Sequence, residues 1–105
     1  MASEPTREEI AALPGTTVLE FGATWCGICQ GARPLIDAAL AAHPEVRHLR
    51  VEDGKGKPLG RAFGVKLWPT LVFLRDGHEV TRRVRPSSPE DLSGAFDGLG
   101  GGTAP

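Results

Sequence analysis

The sequence carries no surplus of either charge: 12 basic residues stand against 13 acidic ones, for a formal net charge of −1. That balance gives no reason to expect nucleic acid or an anionic membrane as a partner. A long apolar run is missing too. Apolar runs extend over only a few residues, as at Leu71 to Leu74, against the roughly 20 needed to span a bilayer, so no membrane insertion is expected. The opening segment Met1-Ala2-Ser3-Glu4-Pro5-Thr6-Arg7-Glu8-Glu9 lacks the basic start and apolar stretch of a secretory signal, which makes a cytoplasmic location the expectation. No long polar linker divides the 105 residues, so residues 1–105 read as one domain, with 1–4 and 100–105 as flexible ends. Cysteine is scarce, with only Cys26 and Cys29. A chain of this size buries roughly 60 to 70% of its unfolded surface and needs no disulfide to fold.

What is present is an alternation of short helical and extended segments. Thr6-x-x-Glu9 fits a capping box, and Ile10 and Leu13 share a face, so residues 4–13 read as a helix ended by Pro14-Gly15. Thr16 to Phe21 is a buried strand, rich in β-branched and apolar residues and stopping at Gly22. Cys26 to Ala42 places Ile28, Leu35, Ile36, Ala39 and Leu40 at helical spacing around Pro34, which predicts a kinked helix closed by His43-Pro44. Val46 to Asp53 is a second strand, with Leu49 and Val51 on one face and Arg50 and Glu52 on the other. A loop over 54–58 leads to a short helix, Leu59 to Phe63, ended by Gly64. Leu71 to Leu74 and Glu79 to Val84 form an antiparallel hairpin about Asp76-Gly77. Ser88-Pro89-Glu90-Asp91 opens a last helix whose Leu92, Phe96 and Leu99 face the sheet. This order demands an α/β domain, a mixed sheet with helices on both faces.

The chemistry lies at Cys26 and Cys29. A Cys-x-x-Cys pair that follows a strand and opens a helix lets both sulfurs meet across one turn. The first sulfur sits where unpaired helix amides converge, and those N–H groups with the positive end of the helix dipole favour a thiolate. Cys26 is therefore the expected nucleophile. Cys29, one turn inside and expected to be less exposed, would resolve the mixed disulfide. Two alternatives compete with this reading. The pair could be buried cysteines without chemistry, or half of a zinc site. Zinc normally takes four ligands, and His43, His48 and His78 are not spaced as a second pair, so no metal is expected and the histidines read as surface residues.

At Trp25-Cys26-Gly27-Ile28-Cys29 the sequence resembles the thioredoxin family, and the resemblance extends from about Thr17 to Leu99. It implies the thioredoxin fold with four strands, the family's first edge strand being absent or reduced to Ser3 to Pro5. Pro34 matches the family proline eight residues after the first cysteine. Trp68-Pro69-Thr70 matches the segment that carries a cis proline beside the dithiol. With Pro69 cis, the backbone of Trp68 is left free to pair with an extended substrate segment. Glu20 matches the family's buried acid, commonly Asp, six positions before the nucleophile. If buried, its pKa should rise, and through a water it could take the proton of Cys29. Arg50 aligns with a lysine near that acid, although an exposed strand-face charge is the plainer reading.

Four departures bear on specificity. Ile28 replaces the usual proline between the cysteines, where residues tune the potential, and about 30 mV is a tenfold change in a two-electron equilibrium. Gly22 stands where many thioredoxins have tryptophan, Trp68 where they have an aliphatic residue, and Arg85-Pro86 where they have a glycine-containing turn. The resemblance thus implies a substrate surface of Trp25, Gly27, Ile28, Trp68, Pro69 and Arg85, or else Trp68 and Arg85 fill space left by the missing tryptophan.

The expected function is reduction of disulfides in protein partners by a monomer without a bound cofactor. The resemblance implies that electrons come from a thioredoxin reductase or another donor. A redox-sensing or partner-binding module without general turnover is one alternative, and a disulfide oxidase or isomerase, favoured by Ile28 but opposed by the lack of an export signal, is the other.

Overall fold

The computed structural model describes residues 5–99. The flexible ends expected at 1–4 and 100–105 lie outside them, as does most of the Ser3 to Pro5 segment; Pro5 itself is not in a strand. The elements run α1 (Arg7–Ala11), β1 (Thr16–Gly22), α2 (Gly27–Ala41), β2 (Arg47–Glu52), α3 (Pro58–Ala62), β3 (Thr70–Arg75), β4 (His78–Val84) and α4 (Pro89–Gly98). Every expected element is present, with boundaries moved by a few residues.

Local chemistry sets the ends. Thr6 and Glu9 form the reciprocal capping box of α1, Thr6 Oγ1 accepting from the Glu9 amide at 3.0 Å and Glu9 Oε1 from the Thr6 amide at 2.8 Å. Ser88 caps α4 by accepting from the Asp91 amide at 3.3 Å, with Pro89 in the first turn. Asp76 and Gly77 have φ of 51° and 81°, the paired left-handed conformation of a two-residue hairpin turn. This turn also holds the chain to the α1–β1 loop: Gly15 N–H donates to Asp76 Oδ1 at 2.8 Å, and Asp76 N–H to the Gly15 carbonyl at 2.7 Å. A Cβ at Gly77 would overlap the Ala11 backbone, so glycine is required there for space as well as for φ.

The sheet order is β2-β1-β3-β4. β1 is parallel to β2 and antiparallel to β3, and β3 is antiparallel to β4, with an irregularity at Phe73/Leu74. β2 and β4 are therefore the lateral strands. Alternation along β1 and β3 divides the interior in two. Val18, Leu71 and Phe73 pack on one face with Ile36 of α2 and Leu92, Ala95 and Phe96 of α4. Leu19, Phe21, Val72 and Leu74 pack on the other with Ile10 of α1 and Leu59 of α3. Parity assigns Glu20 to the α2 side. α2 runs through Pro34, which has no N–H to donate. None of the helices in residues 5–99 is long and apolar enough to cross a membrane.

Candidate active site

β1 ends at Gly22 and α2 begins at Gly27, and the turn between them delivers Cys26 to the helix N-cap. Its backbone is extended, φ −80° and ψ 115°, and its Sγ accepts the Cys29 amide at 3.1 Å. A sulfur in this position satisfies one of the otherwise unpaired amides of the first helical turn. Its pKa is lowered, first by the hydrogen bond with the Cys29 side chain, then by the backbone N–H groups of Cys29 and Ile28 and by the charge of Arg85, against the opposing effect of burial. Cys29 is displaced the other way, to about 11, by burial first and then by its bond to Cys26 and the negative charges of Cys26 and Glu20. Both cysteines are free thiols.

One expectation is reversed. Cys26 is 7% exposed, whereas Cys29 is only partly buried. Folding back over the helix amides closes off Cys26, while Cys29 borders an open recess of about 280 Å³ that Glu20, Gly22 and Arg50 also line. A Cβ on residue 22 would approach Cys29 Sγ to 3.0 Å, so the glycine in place of the family's tryptophan leaves room at that sulfur.

The facing wall comes from the α3–β3 and β4–α4 connections. The Trp68–Pro69 peptide is cis, as the resemblance implies. Pro69 is buried, Gly27 is exposed, and Trp25 and Ile28 are 71% and 49% exposed. Trp25 meets Trp68 edge to face at 5.3 Å between centroids. Trp68 Nε1–H donates to Asp53 Oδ2 at 2.9 Å, which fixes the ring from behind. The Trp68 carbonyl is not free. Arg85 Nε–H donates to it at 2.8 Å, while the Arg85 amide donates to the Pro69 carbonyl at 2.8 Å. Arg85 achieves this with φ of 51°, the left-handed region that favours glycine.

Glu20 is 5% exposed, so its expected burial holds. Its expected pKa direction does not. Arg33 donates from Nη1 to Oε2 at 2.5 Å and from Nη2 to Oε1 at 3.0 Å, and His48 Nε2 lies 2.7 Å from Oε1. Burial pushes the carboxyl upward, but the bonds to His48 and Arg33 and their charges outweigh it, and Glu20 is held below the ordinary carboxylate value. Arg50 lies opposite Glu20 in the β1–β2 register and is exposed, in line with a strand-face charge. His43, stacked on Phe96 at 4.1 Å, and His48 on Glu20 are both partly buried; of the three histidines only His78 is fully at the surface.

Comparison with known proteins settles the lineage. The sequence model of the thioredoxin family matches residues 2–97. The chain belongs to the thioredoxin family. It is 38% identical over 71 residues to a thioredoxin of Chlamydia muridarum, covering 67% of this chain and 69% of that one. It is 31% identical over 94 residues to thioredoxin H5 of Oryza sativa, covering 90% of this chain and 69% of that one. The structure of thioredoxin 2 from Pseudomonas aeruginosa PAO1 in its reduced form superposes with a TM-score of 0.84 at 56% identity, covering 94% of this chain and 92% of that one. Thioredoxins are protein-disulfide oxidoreductases, and this thioredoxin-family chain, with its Cys26–Cys29 pair, is a thiol–disulfide oxidoreductase acting on protein disulfides.

Three residues of this thioredoxin site escaped the sequence reading: Arg33, His48 and Asp53. Two had signals. Arg33 follows Cys29 at i, i+4 and so lies one turn below it on the same helix face. Assigning Leu49 and Val51 to one face of β2 places His48 on the opposite face, the one that carries Glu20. The bond from Trp68 to Asp53 joins two loops, and no periodicity announces it.

Proposed function

We propose that this chain reduces disulfides in protein partners, with Cys26 as nucleophile and Cys29 as resolving thiol. The observation that carries this is the split between the two sulfurs, Cys26 lowered under the Cys29 amide at 3.1 Å and Cys29 raised to about 11. The Cys26 thiolate attacks one sulfur of the partner's disulfide. A bond forms between them, and the partner's second sulfur leaves as a thiolate that takes a proton from water. Two of the causes that raise Cys29 are its bond to Cys26 and the charge on Cys26, and both disappear once Cys26 is bonded to the partner. Cys29 then loses its proton to water in the recess it borders and attacks Cys26 Sγ. The partner's first sulfur is released as a thiolate, and two electrons have passed from the protein to the partner.

Glu20 is not the base in this scheme. A carboxylate held low by Arg33 and His48 is a weak acceptor for a thiol near 11. Its role is to anchor α2 to β1 beneath Cys29. Trp25, Gly27, Ile28, Trp68, Pro69 and Arg85 form the surface that meets the partner. The protein works as a cytoplasmic monomer, and a thioredoxin reductase or another dithiol donor restores the dithiol.

A partner-restricted module is the second reading, favoured by the Arg85 bond across the Trp68 carbonyl. Insulin reduction separates the two. Turnover with dithiothreitol and with thioredoxin reductase plus NADPH supports the general reductant. Turnover with dithiothreitol alone points to another donor, and failure with both removes general reductase activity. An equilibrium potential far more oxidising than the cytosolic glutathione pool would turn the assignment to oxidase or isomerase.

A further inference from the structure

Arg85 is costly where it stands. A non-glycine residue in the left-handed region gives up about 1–2 kcal/mol relative to glycine, yet the chain places its largest cation there, at φ 51°. Its Nε–H is spent on the Trp68 carbonyl. The other two guanidinium nitrogens have no hydrogen-bond partner among the described residues, and they form a fork that matches a carboxylate. The guanidinium charge is one of the smaller contributions to the lowered pKa of Cys26. Trp68 also lines a second recess together with Lys55, Lys57, Arg61 and Lys66. Its one acid, Asp53, is already bonded to the Trp68 ring. In a chain of net charge −1, Trp68 thus has Arg85 on its carbonyl and shares a recess with four further cations.

We infer that Arg85 is a specificity-determining residue: it binds an Asp or Glu side chain on the partner segment flanking the target disulfide, and it uncovers the Trp68 carbonyl when that carboxylate draws it away. The inference deepens the reductase reading and rests on it. Without the carboxylate, the carbonyl that an extended partner strand would use as an acceptor stays capped, and the partner lacks one main-chain bond. With it, the fork gains a charge-assisted pair, and the released carbonyl accepts the partner's N–H. The lysine and arginine rim of that recess adds long-range attraction for acidic segments and none for basic ones.

The test uses the pre-reduced full chain in single-turnover mixing with three synthetic peptides. They share one internal disulfide and differ only in Glu, Gln or Lys at the flanking position. Each rate constant is divided by that of free dithiothreitol on the same peptide, which removes intrinsic reactivity. The expected Glu-to-Lys ratio is about tenfold at low salt and falls towards one at high salt. Arg85→Gly, which suits the left-handed backbone, brings the ratio to about two or less, and Arg85→Asn does the same should the glycine variant fold poorly. Arg85→Lys keeps the charge without the fork and falls between. A ratio near one in the native protein, with all three peptides reduced, overturns the inference and leaves the reductase reading intact. A native ratio that survives in Arg85→Gly, or in Arg85→Asn where the glycine variant folds poorly, also overturns it. Reduction of none of the peptides removes the reductase reading and this inference together.

Discussion

The two walls of the site are built on different principles. On one wall, the turn from β1 into α2, Cys26 is positioned by main-chain amides, and what matters is the place of each residue in a strand-to-helix junction. On the other, the segments around Trp68 and Arg85, the surface is fixed by side chains reaching across loops: Asp53 to the Trp68 ring, and Arg85 to the Trp68 carbonyl. The place of the attacking sulfur is thus secured by the backbone geometry of a helix start, with the Cys29 side chain and the Arg85 charge adding to its low pKa, whereas the choice of partner depends on a few replaceable groups. Changes to the first wall should break exchange, and changes to the second should redirect it.

The largest effect expected is from Cys26→Ser, which removes the attacking sulfur and should lower insulin reduction by at least about a thousandfold. Cys29→Ser leaves attack possible and resolution impossible. Partners should then accumulate as covalent adducts that run on a non-reducing gel and disappear on treatment with dithiothreitol, and a lysate yielding no such adduct would falsify the two-step scheme.

Thiolate absorbance followed against pH should show Cys26 ionising below the roughly 8.5 of a free cysteine. Cys29 should follow only near 11. A single transition at the free-thiol value would erase the distinction between the sulfurs.

Glu20→Gln should come next. It replaces the carboxylate that Arg33 and His48 share by an amide with a single accepting oxygen and no charge, and urea unfolding should register a loss of about 1–3 kcal/mol. With the negative charge gone, the Cys29 midpoint should move down from about 11. The folded pKa of Glu20 lies below its unfolded value. Its contribution to stability is therefore complete above the unfolded value near 4.5 and fades as pH falls through the lower folded one. The wild-type chain should lose stability across that acid range more steeply than the variant. A tenfold or greater slowing of mixed-disulfide resolution in Glu20→Gln would restore the carboxylate as a base.

The smallest effect is expected from Trp68→Leu. It deletes the Asp53 bond and the contact with Trp25 but touches neither sulfur. Rates on a protein disulfide should change by a few-fold, while the Cys26 titration stays in place. A large shift in that titration would show that the two walls are not separable.

The junction wall was legible in the sequence because its signals are local: a run of β-branched and apolar residues, a glycine, and two cysteines a turn apart at a helix start. The sheet followed from alternation and from Asp76-Gly77, whose conformation suits one kind of turn. The environment of Glu20 was legible only in part. Its burial was anticipated, but the sign of its pKa shift depended on Arg33 and His48, which approach from a helix and a neighbouring strand. The capping of the Trp68 carbonyl was not legible at all. A free guanidinium reads as a surface charge until the backbone at Arg85 turns left-handed and aims it inward.

The lateral strands carry a consequence for self-association. β2 presents the exposed Arg47 and Arg50, whereas on β4 Arg82 is paired with Glu79 and Arg83 donates to the Asp91 carbonyl. Two copies pairing β2 against β2 would set guanidinium against guanidinium along the seam, so this outermost strand discourages fibre-like stacking even though half of its backbone hydrogen-bonding groups face outward.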